Sequence, residues 1–380
     1  MINKSRLIKL TRKLLSIDSQ NPPGNEVAIA DMVARDMKSL GLEIKVISYK
    51  KDRPNVIATL RGSLPRKQAA AGALLLTPHL DTVPVGSGWK FNPFGKTVAQ
   101  GRIYGRGASD DKGNLACAME VIRSLVQQGF RPRKDLILAA TADEETGSHQ
   151  GIKPLLEKKV LRPGLALVLD SVDFDTVIAQ KGLVHLRVRV FGKKAHGATN
   201  WMGVNAIEQS AKIIRRLKKN ETAFKEHPLL NHPTVNIGTI KGGDKVNMVA
   251  DFCEFSVDLR YMPCTTPKKV IKQLKKIVAG VTDNFELIID DVQLPFEIEK
   301  KDPFVALFLK AARKVRVTPS LKGSDGATVI SFFQKHGIKA FATGFGKSGT
   351  MHADDEFAEI KTLYKGAVVL ERFVKDYDQV

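Results

Sequence analysis

The sequence predicts an α/β protein: a mainly parallel sheet flanked by helices, with a smaller α+β domain inserted into it. Three observations predict this. Short apolar runs recur that each end in ionisable residues, helical patterns lie between or after them, and the middle of the chain changes to alternating apolar and polar residues.

The first element is a helix. The opening stretch MINKSRLIKLTRKLLSI interleaves Lys and Arg with Leu and Ile at helical spacing and has no continuous apolar segment like that of a signal peptide. Residues 73–76 (ALLL) then lead into TPHLD, and residues 136–140 (LILAA) lead into TADEETG. Residues 165–169 (LALVL) lead into Asp170, and residues 339–342 lead into a glycine-rich loop ending in MHADDE. Helical patterns cover residues 114–128 and 302–315. Strands that alternate with helices form a mainly parallel sheet covered on both faces, and ligands of such sheets bind beyond the carboxyl ends of the strands. All four runs place their ionisable residues at that end.

The middle follows a different rule. Residues 181–190 (KGLVHLRVRV) and 250–260 (ADFCEFSVDLR) alternate as half-exposed antiparallel strands do, with helical patterns around 204–217 and 268–278. The expected organisation is one domain from residues 1–179 and 292–380, interrupted by a second at 180–291.

The 380 residues are 43% hydrophobic and 26% charged, an ordinary globular composition that excludes a disordered or collagen-like chain. No apolar run approaches the roughly 18 residues that span a bilayer. Cys117, Cys253 and Cys264 form no CxxC pair, and so sparse and odd a set suits buried thiols in a reducing cytoplasm. The net charge of +20 is spread along the chain. Runs such as RRLKKN (215–220) and PKKVIKQLKKIV (267–278) put their charges on one helix face and Ile, Leu or Val on the other, as a solvated face does. No nucleic-acid motif accompanies either run, so neither nucleic acid nor a membrane is an expected partner.

The chemistry lies at the strand ends. Metal sites that activate water draw ligands from several chain segments and need a nearby carboxylate to take a proton. The candidates are His79, the pair Asp110 and Asp111, the pair Glu144 and Glu145, Asp170 and His352. Five segments thus offer metal-type ligands at what should be one crest of one sheet. Adjacent side chains of an extended segment point to opposite sides, so each acidic pair can supply one ligand and one residue with another role. Two divalent cations sharing a bridging carboxylate, each with one histidine and one further carboxylate, would leave a fourth carboxylate free as proton shuttle.

Six motifs, in this order, extend the pattern: HLDTVP (79–84), GRGASDDKGN (105–114), ADEETG (142–147), GKKAHGATNWMGVNAI (192–207), VNMVADFCEFSVDLR (246–260) and MHADDEF (351–357). With them the chain resembles, over essentially its whole length, the dizinc amidohydrolases and exopeptidases that include acetylornithine deacetylase, succinyl-diaminopimelate desuccinylase, aminoacylase, glutamate carboxypeptidase and related dipeptidases. The resemblance implies a zinc-peptidase-like catalytic domain and an inserted lid and dimerisation domain. It implies two zinc ions, with cobalt or manganese as substitutes: His79 and Asp170 on one, Glu145 and His352 on the other, and Asp110 between them. Asp81 would orient the His79 ring, and Glu144 would be the general base that deprotonates the bridging water and delivers the proton to the leaving amine. His196 would reach a partner subunit's site to stabilise the oxyanion, and Arg260 and Asn247 would hold a substrate carboxylate.

The implied activity is cleavage of the amide bond of a small N-acyl amino acid, as in acetylornithine or succinyl-diaminopimelate deacylation, by a cytoplasmic homodimer. The alternative is a dizinc dipeptidase or carboxypeptidase acting on short peptides. Aspartate at Asp170, where the family's deacylases generally carry glutamate, and the ASDDKG form lean toward that side. A non-catalytic binder of anionic partners is the remaining reading, against which stands the full ligand set together with the shuttle Glu144. GSDGAT (323–328) looks like the family's substrate-side loop.

Overall fold

The computed structural model describes residues 1–219, 226–326 and 328–380; Asn220, at the end of RRLKKN, and Ala327, in GSDGAT, lie outside the described residues. The chain divides into two compact units. The first comprises Met1–Ile178, Ile298–Lys322 and Phe332–Val380, and the second Ala179–Glu297 and Gly323–Ser331. The divisions near 178 and 297 compare with 179 and 291 expected from sequence. The short return of Gly323–Ser331 to the second unit follows from side chains there: the Lys181 ammonium lies 2.9 Å from Asp325 Oδ1, and Gln180 Oε1 accepts the Thr328 N–H at 3.0 Å.

The first unit is built on a sheet whose four central strands are Leu136–Ala140, Leu74–Thr77, Leu165–Leu169 and Lys339–Thr343, in that order and all parallel. Every residue of Leu74–Thr77 and of Leu165–Leu169 is buried, so both sheet faces are covered. Beyond Leu136–Ala140 the sheet continues with two antiparallel strands, Pro54–Leu60 and then Glu43–Ser48. Glu43–Ser48 is largely exposed and ends the sheet.

Helix Lys112–Gln127 is buried through most of its length, including Lys112 and Glu120, which places it inside the layer. It packs against the amphipathic first helix, Lys4–Leu15, and against the long helix Ile360–Asp378. Glu120 is compensated by Arg6, whose Nε and Nη2 donate to its two oxygens at 2.6 and 2.7 Å. Phe308, Phe341 and Phe373 meet edge to face with centroids 5.6 to 6.2 Å apart, joining Pro303–Lys314 and Ile360–Asp378 to the sheet.

Because the four central strands run the same way, their carboxyl ends lie along one edge. The chain after each strand therefore emerges at this edge with His79, Glu144 and Glu145, Asp170, or the loop to His352. Gly344 is required there: a Cβ would come within 1.7 Å of the Ser171 carbonyl oxygen, so only glycine lets the loop after Lys339–Thr343 run beside the one after Leu165–Leu169.

The second unit is a four-stranded antiparallel sheet in the order Thr234–Gly242, Phe252–Tyr261, Gly182–Phe191, Phe285–Gln293. Val184, Leu186, Val188 and Val190 point to one side and bury with Phe255 and Val257 of the neighbouring strand and with Ile213, Leu217, Leu274 and Val278 from helices Ala206–Lys219 and Pro267–Ala279. The alternate residues face out and pair across strands: Arg187 with Asp290 at 2.9 Å, and Arg189 with Glu254 at 2.6 Å. Period-two alternation in the sequence thus corresponds to one packed and one solvated face.

Candidate metal centre

Asp110 is the hub of the site. Its Oδ1 lies 2.9 Å from His79 Nε2 and its Oδ2 lies 3.1 Å from His352 Nε2. The same His352 nitrogen is 3.3 Å from Glu145 Oε2. His79, Asp110 and Glu145 each bring one ligand atom within 4.8 Å of the others, the arrangement expected around a metal ion.

His79 is aimed by its neighbours. Its Nδ1–H donates to the Asp81 carbonyl oxygen at 2.9 Å and lies 3.4 Å from Asp81 Oδ1. On the neutral ring Nε2 then carries a lone pair directed at Asp110, which also offers only lone pairs. A divalent cation satisfies both atoms. Asp81 further accepts the backbone N–H groups of Glu144 and Glu145, each at 3.1 Å, so one buried carboxylate fixes the histidine on one strand end and the acidic turn on the next. Burial alone would raise Asp81, but the bonds from His79 and its other donors hold its carboxylate below the ordinary value.

The electrostatics describe a cleft crowded with negative charge. Withdrawal from water, reinforced by Asp110, pushes the Asp170 carboxyl up to about 7. Withdrawal from water and repulsion from Asp170 hold Glu144 well above the usual carboxylate range. Hydrogen bonds to Asp110 and Glu145 raise the His352 imidazole to about 10. For His79 burial acts in the opposite direction, yet Asp110 and Asp81 raise the ring well above its ordinary value. Protons thus stand where a cation's charge would act, and the donor set, imidazoles and carboxylates, suits a divalent ion such as zinc.

Several residues with no assigned part in the sequence reading hold these groups in place. Asp111 stands at the N-cap position of helix Lys112–Gln127 with φ -134° and ψ 6°, so the pair does not lie in the extended segment expected for it. Asp111 is nonetheless turned away from the histidine rings. Its Oδ2 accepts the His79 backbone N–H at 2.9 Å and its Oδ1 accepts from Asn114 Nδ2 at 2.6 Å. Asn114 in turn accepts the Phe345 N–H at 2.7 Å, tying the helix start to the glycine-rich loop. Buried Glu356 accepts the N–H groups of Gly107, Ser109 and Asp110 at 3.1, 2.8 and 3.1 Å, together with Arg106 Nη1 at 2.7 Å. Arg106 also donates to the carbonyls of His352 and Ala353, at 3.4 and 3.2 Å, so the segments carrying Asp110 and His352 are bound to each other.

The remaining sequence candidates lie in the second unit. His196 is exposed, and its Nδ1 accepts the Ala198 N–H at 3.1 Å, which leaves the proton on Nε2. Its segment pairs with that of Asn247, whose carbonyl accepts the Gly197 N–H at 2.8 Å. Arg260 donates through Nε and Nη2 to the two oxygens of Asp258, at 2.8 and 3.1 Å, and His185 lies 3.5 Å from the same carboxylate. Part of the Arg260 fork is therefore engaged within its own sheet.

Imidazoles and carboxylates gathered at a parallel-sheet edge, with a carboxyl group left over, are the arrangement of metal-dependent hydrolases. The profile of peptidase family M20/M25/M40 matches residues 75–376. The chain is 30% identical over 377 residues to the acetylornithine deacetylase of Photorhabdus laumondii, covering 96% of this chain and 92% of that one. It is 32% identical over 256 residues to the acetylornithine deacetylase of Pasteurella multocida, covering 65% of this chain and 64% of that one, so this aligned stretch spans just under two thirds of that relative's length. The fold superposes on the crystal structure of aminopeptidase PepT from Bacillus cereus with a TM-score of 0.82 at 23% identity, covering 99% of each chain. The chain belongs to peptidase family M20/M25/M40 and is a metal-dependent enzyme that hydrolyses amide bonds.

Both histidines must lose a proton to ligate a cation, and their neighbours hold those protons on in the metal-free protein. Apparent affinity for a divalent cation should therefore rise from about pH 6 to about pH 8, roughly tenfold per unit for each proton released. Competition titrations against a chelator across that range measure the slope; a pH-independent affinity would place the metal elsewhere.

Proposed function

We propose that this enzyme cleaves the amide bond of a small N-acyl amino acid with a free carboxylate, an acetylornithine- or succinyl-diaminopimelate-like substrate, at a centre of two zinc ions for which cobalt or manganese can substitute. His79 and Asp170 would hold one ion and Glu145 and His352 the other, with Asp110 as the carboxylate available to both. The observation that carries this reading is Asp110, with one oxygen toward each histidine. When bound, the metal pair supplies Lewis acidity at the amide carbonyl and a nucleophile from water at neutral pH.

The protein's own groups do the rest. Asp81 keeps the His79 proton on Nδ1 and so keeps Nε2 available. Glu144 is the carboxylate that Asp81 positions through the backbone and that no side-chain ligand role consumes. Its high proton affinity fits a group that takes a proton from the attacking water and returns it to the leaving amine. His196 presents an Nε2–H suited to donating to a tetrahedral oxyanion. Arg260, with Asn247, holds the substrate carboxylate, using the guanidinium edge that Asp258 leaves over. The Photorhabdus relative, similar along nearly the whole chain, supports the deacylase reading. Aspartate rather than glutamate at Asp170 favours a second one, a dipeptidase or carboxypeptidase acting on short peptides.

The second unit serves as lid and dimerisation domain. Its Trp201, Met202 and Val246 are 77%, 63% and 104% exposed, apolar groups that a homodimer would cover. Light scattering should give the mass of two chains; the mass of one would end the dimer reading. Cys117 and Cys253 are buried as expected whereas Cys264 is exposed, and three free thiols fit a cytoplasmic setting. Among the described residues no helix is long and apolar enough to cross a membrane.

The reading is tested with zinc-loaded enzyme on N-acetyl amino acids, N-succinyl amino acids and dipeptides, followed by Glu144→Gln on the best substrate. One acyl class should dominate, and Glu144→Gln should lower kcat about 10²- to 10⁴-fold with metal content intact. Full activity in that variant would remove Glu144 as base, and a preference for dipeptides would replace the deacylase by the peptidase.

A further inference from the structure

We propose that Arg53, clamped by Glu26, is a positioning residue for the reaction: through Asp143 it sets the turn that carries Glu144 and Glu145. This rests on the assignment of Glu144 as base and Glu145 as metal ligand.

Arg53 and Glu26 are 5% and 0% exposed and belong to segments outside all six motifs. Glu26 engages the guanidinium at Nε, with oxygens at 3.0 and 2.7 Å, and at Nη2, 2.8 Å away. The same Nη2 donates to Asp143 Oδ1 at 2.9 Å. Asp143 is the residue immediately before Glu144 and has a left-handed backbone, φ 66°. Its carboxylate also accepts the Thr146 hydroxyl at 2.6 Å and the Gln150 N–H at 2.9 Å, so it closes the turn Glu144–Thr146 from below. Asn21 secures the other side, donating from Nδ2 to Asp81 Oδ2 at 2.8 Å and to Thr146 Oγ1 at 2.9 Å.

The turn therefore rests on Asp81 and Asp143, which Asn21 links by also donating to Asp143 Oδ1 at 3.4 Å, and only the Arg53 contact to Asp143 requires a planar fork. One guanidinium bridges two buried carboxylates on different segments, and an ammonium is a point charge that cannot reproduce both bonds with their directions. Gly24 confirms how closely the group is enclosed: a Cβ there would lie 2.4 Å from the Arg53 Cζ.

The test is Arg53→Lys, with Asp143→Asn and the double variant, in the full-length zinc-loaded enzyme. Arg53→Lys should keep the wild-type circular dichroism while losing about 10- to 100-fold in kcat and in metal affinity, with KM nearly unchanged. The double variant should be no worse than the weaker single variant, because both substitutions cut one connection. Wild-type kcat and metal affinity in Arg53→Lys, or additive losses in the cycle, would overturn the proposal. Should Arg53→Lys fail to fold, Glu26→Gln, which keeps the side chain's shape but weakens its hold on the guanidinium, is read by the same measures. Glu144→Gln separates the two assignments: if it is active the base reading fails, whereas if it is inactive and Arg53→Lys is wild type only the positioning role fails.

Discussion

Carboxylates gathered in a cleft away from water repel one another, and Asp110, Glu144, Glu145 and Asp170 are gathered in this way at one sheet edge. Without a cation the strain is relieved by protons, which is why Asp170 is held near 7 and His352 near 10. With a divalent cation the same groups can be ionised and the histidines neutral. The requirement for positive charge at Asp110 is the constraint to which the surrounding structure answers. Asp81 and Asp111 direct His79, and Glu356 and Arg106 hold the Asp110 segment against the His352 loop.

The parallel sheet makes this gathering possible. Apart from Thr77, Lys339 and Thr343 at strand ends, its central strands are apolar, and they serve to bring four loops to a common edge. The antiparallel sheet of the second unit has a different division of labour. One face is packed under two helices, and the other displays charged side chains that pair across strands, as Arg189 does with Glu254, or along one strand, as Arg260 does with Asp258.

Much of this was legible in the sequence because burial and periodicity coincide. LILAA and LALVL form strands with the bounds their apolar runs suggest, since a strand covered on both faces leaves no polar position to blur its ends. His79, Asp110, Glu145 and His352 could be nominated because each follows such a run or sits in a motif beside one. What escaped was contact between distant segments. Arg106 meets Glu356 across 250 residues, and no local pattern marks either as a partner of the other. Asp111 escaped for a different reason: the expectation assumed an extended segment, whereas the residue stands where a helix begins and its carboxylate is spent on the His79 backbone and the Asn114 side chain. Pro54–Leu60 and Glu43–Ser48 were also missed, because they join the sheet antiparallel and outside the strand–helix alternation that revealed the rest.

The central claim, that two cations share the Asp110 carboxylate, is tested most directly by calorimetric titration of the metal-free enzyme with zinc, beside Asp110→Asn. The wild-type chain should take up two equivalents, and the variant should lose the two-metal stoichiometry while remaining folded. Uptake of two equivalents by Asp110→Asn with unchanged affinity would contradict it.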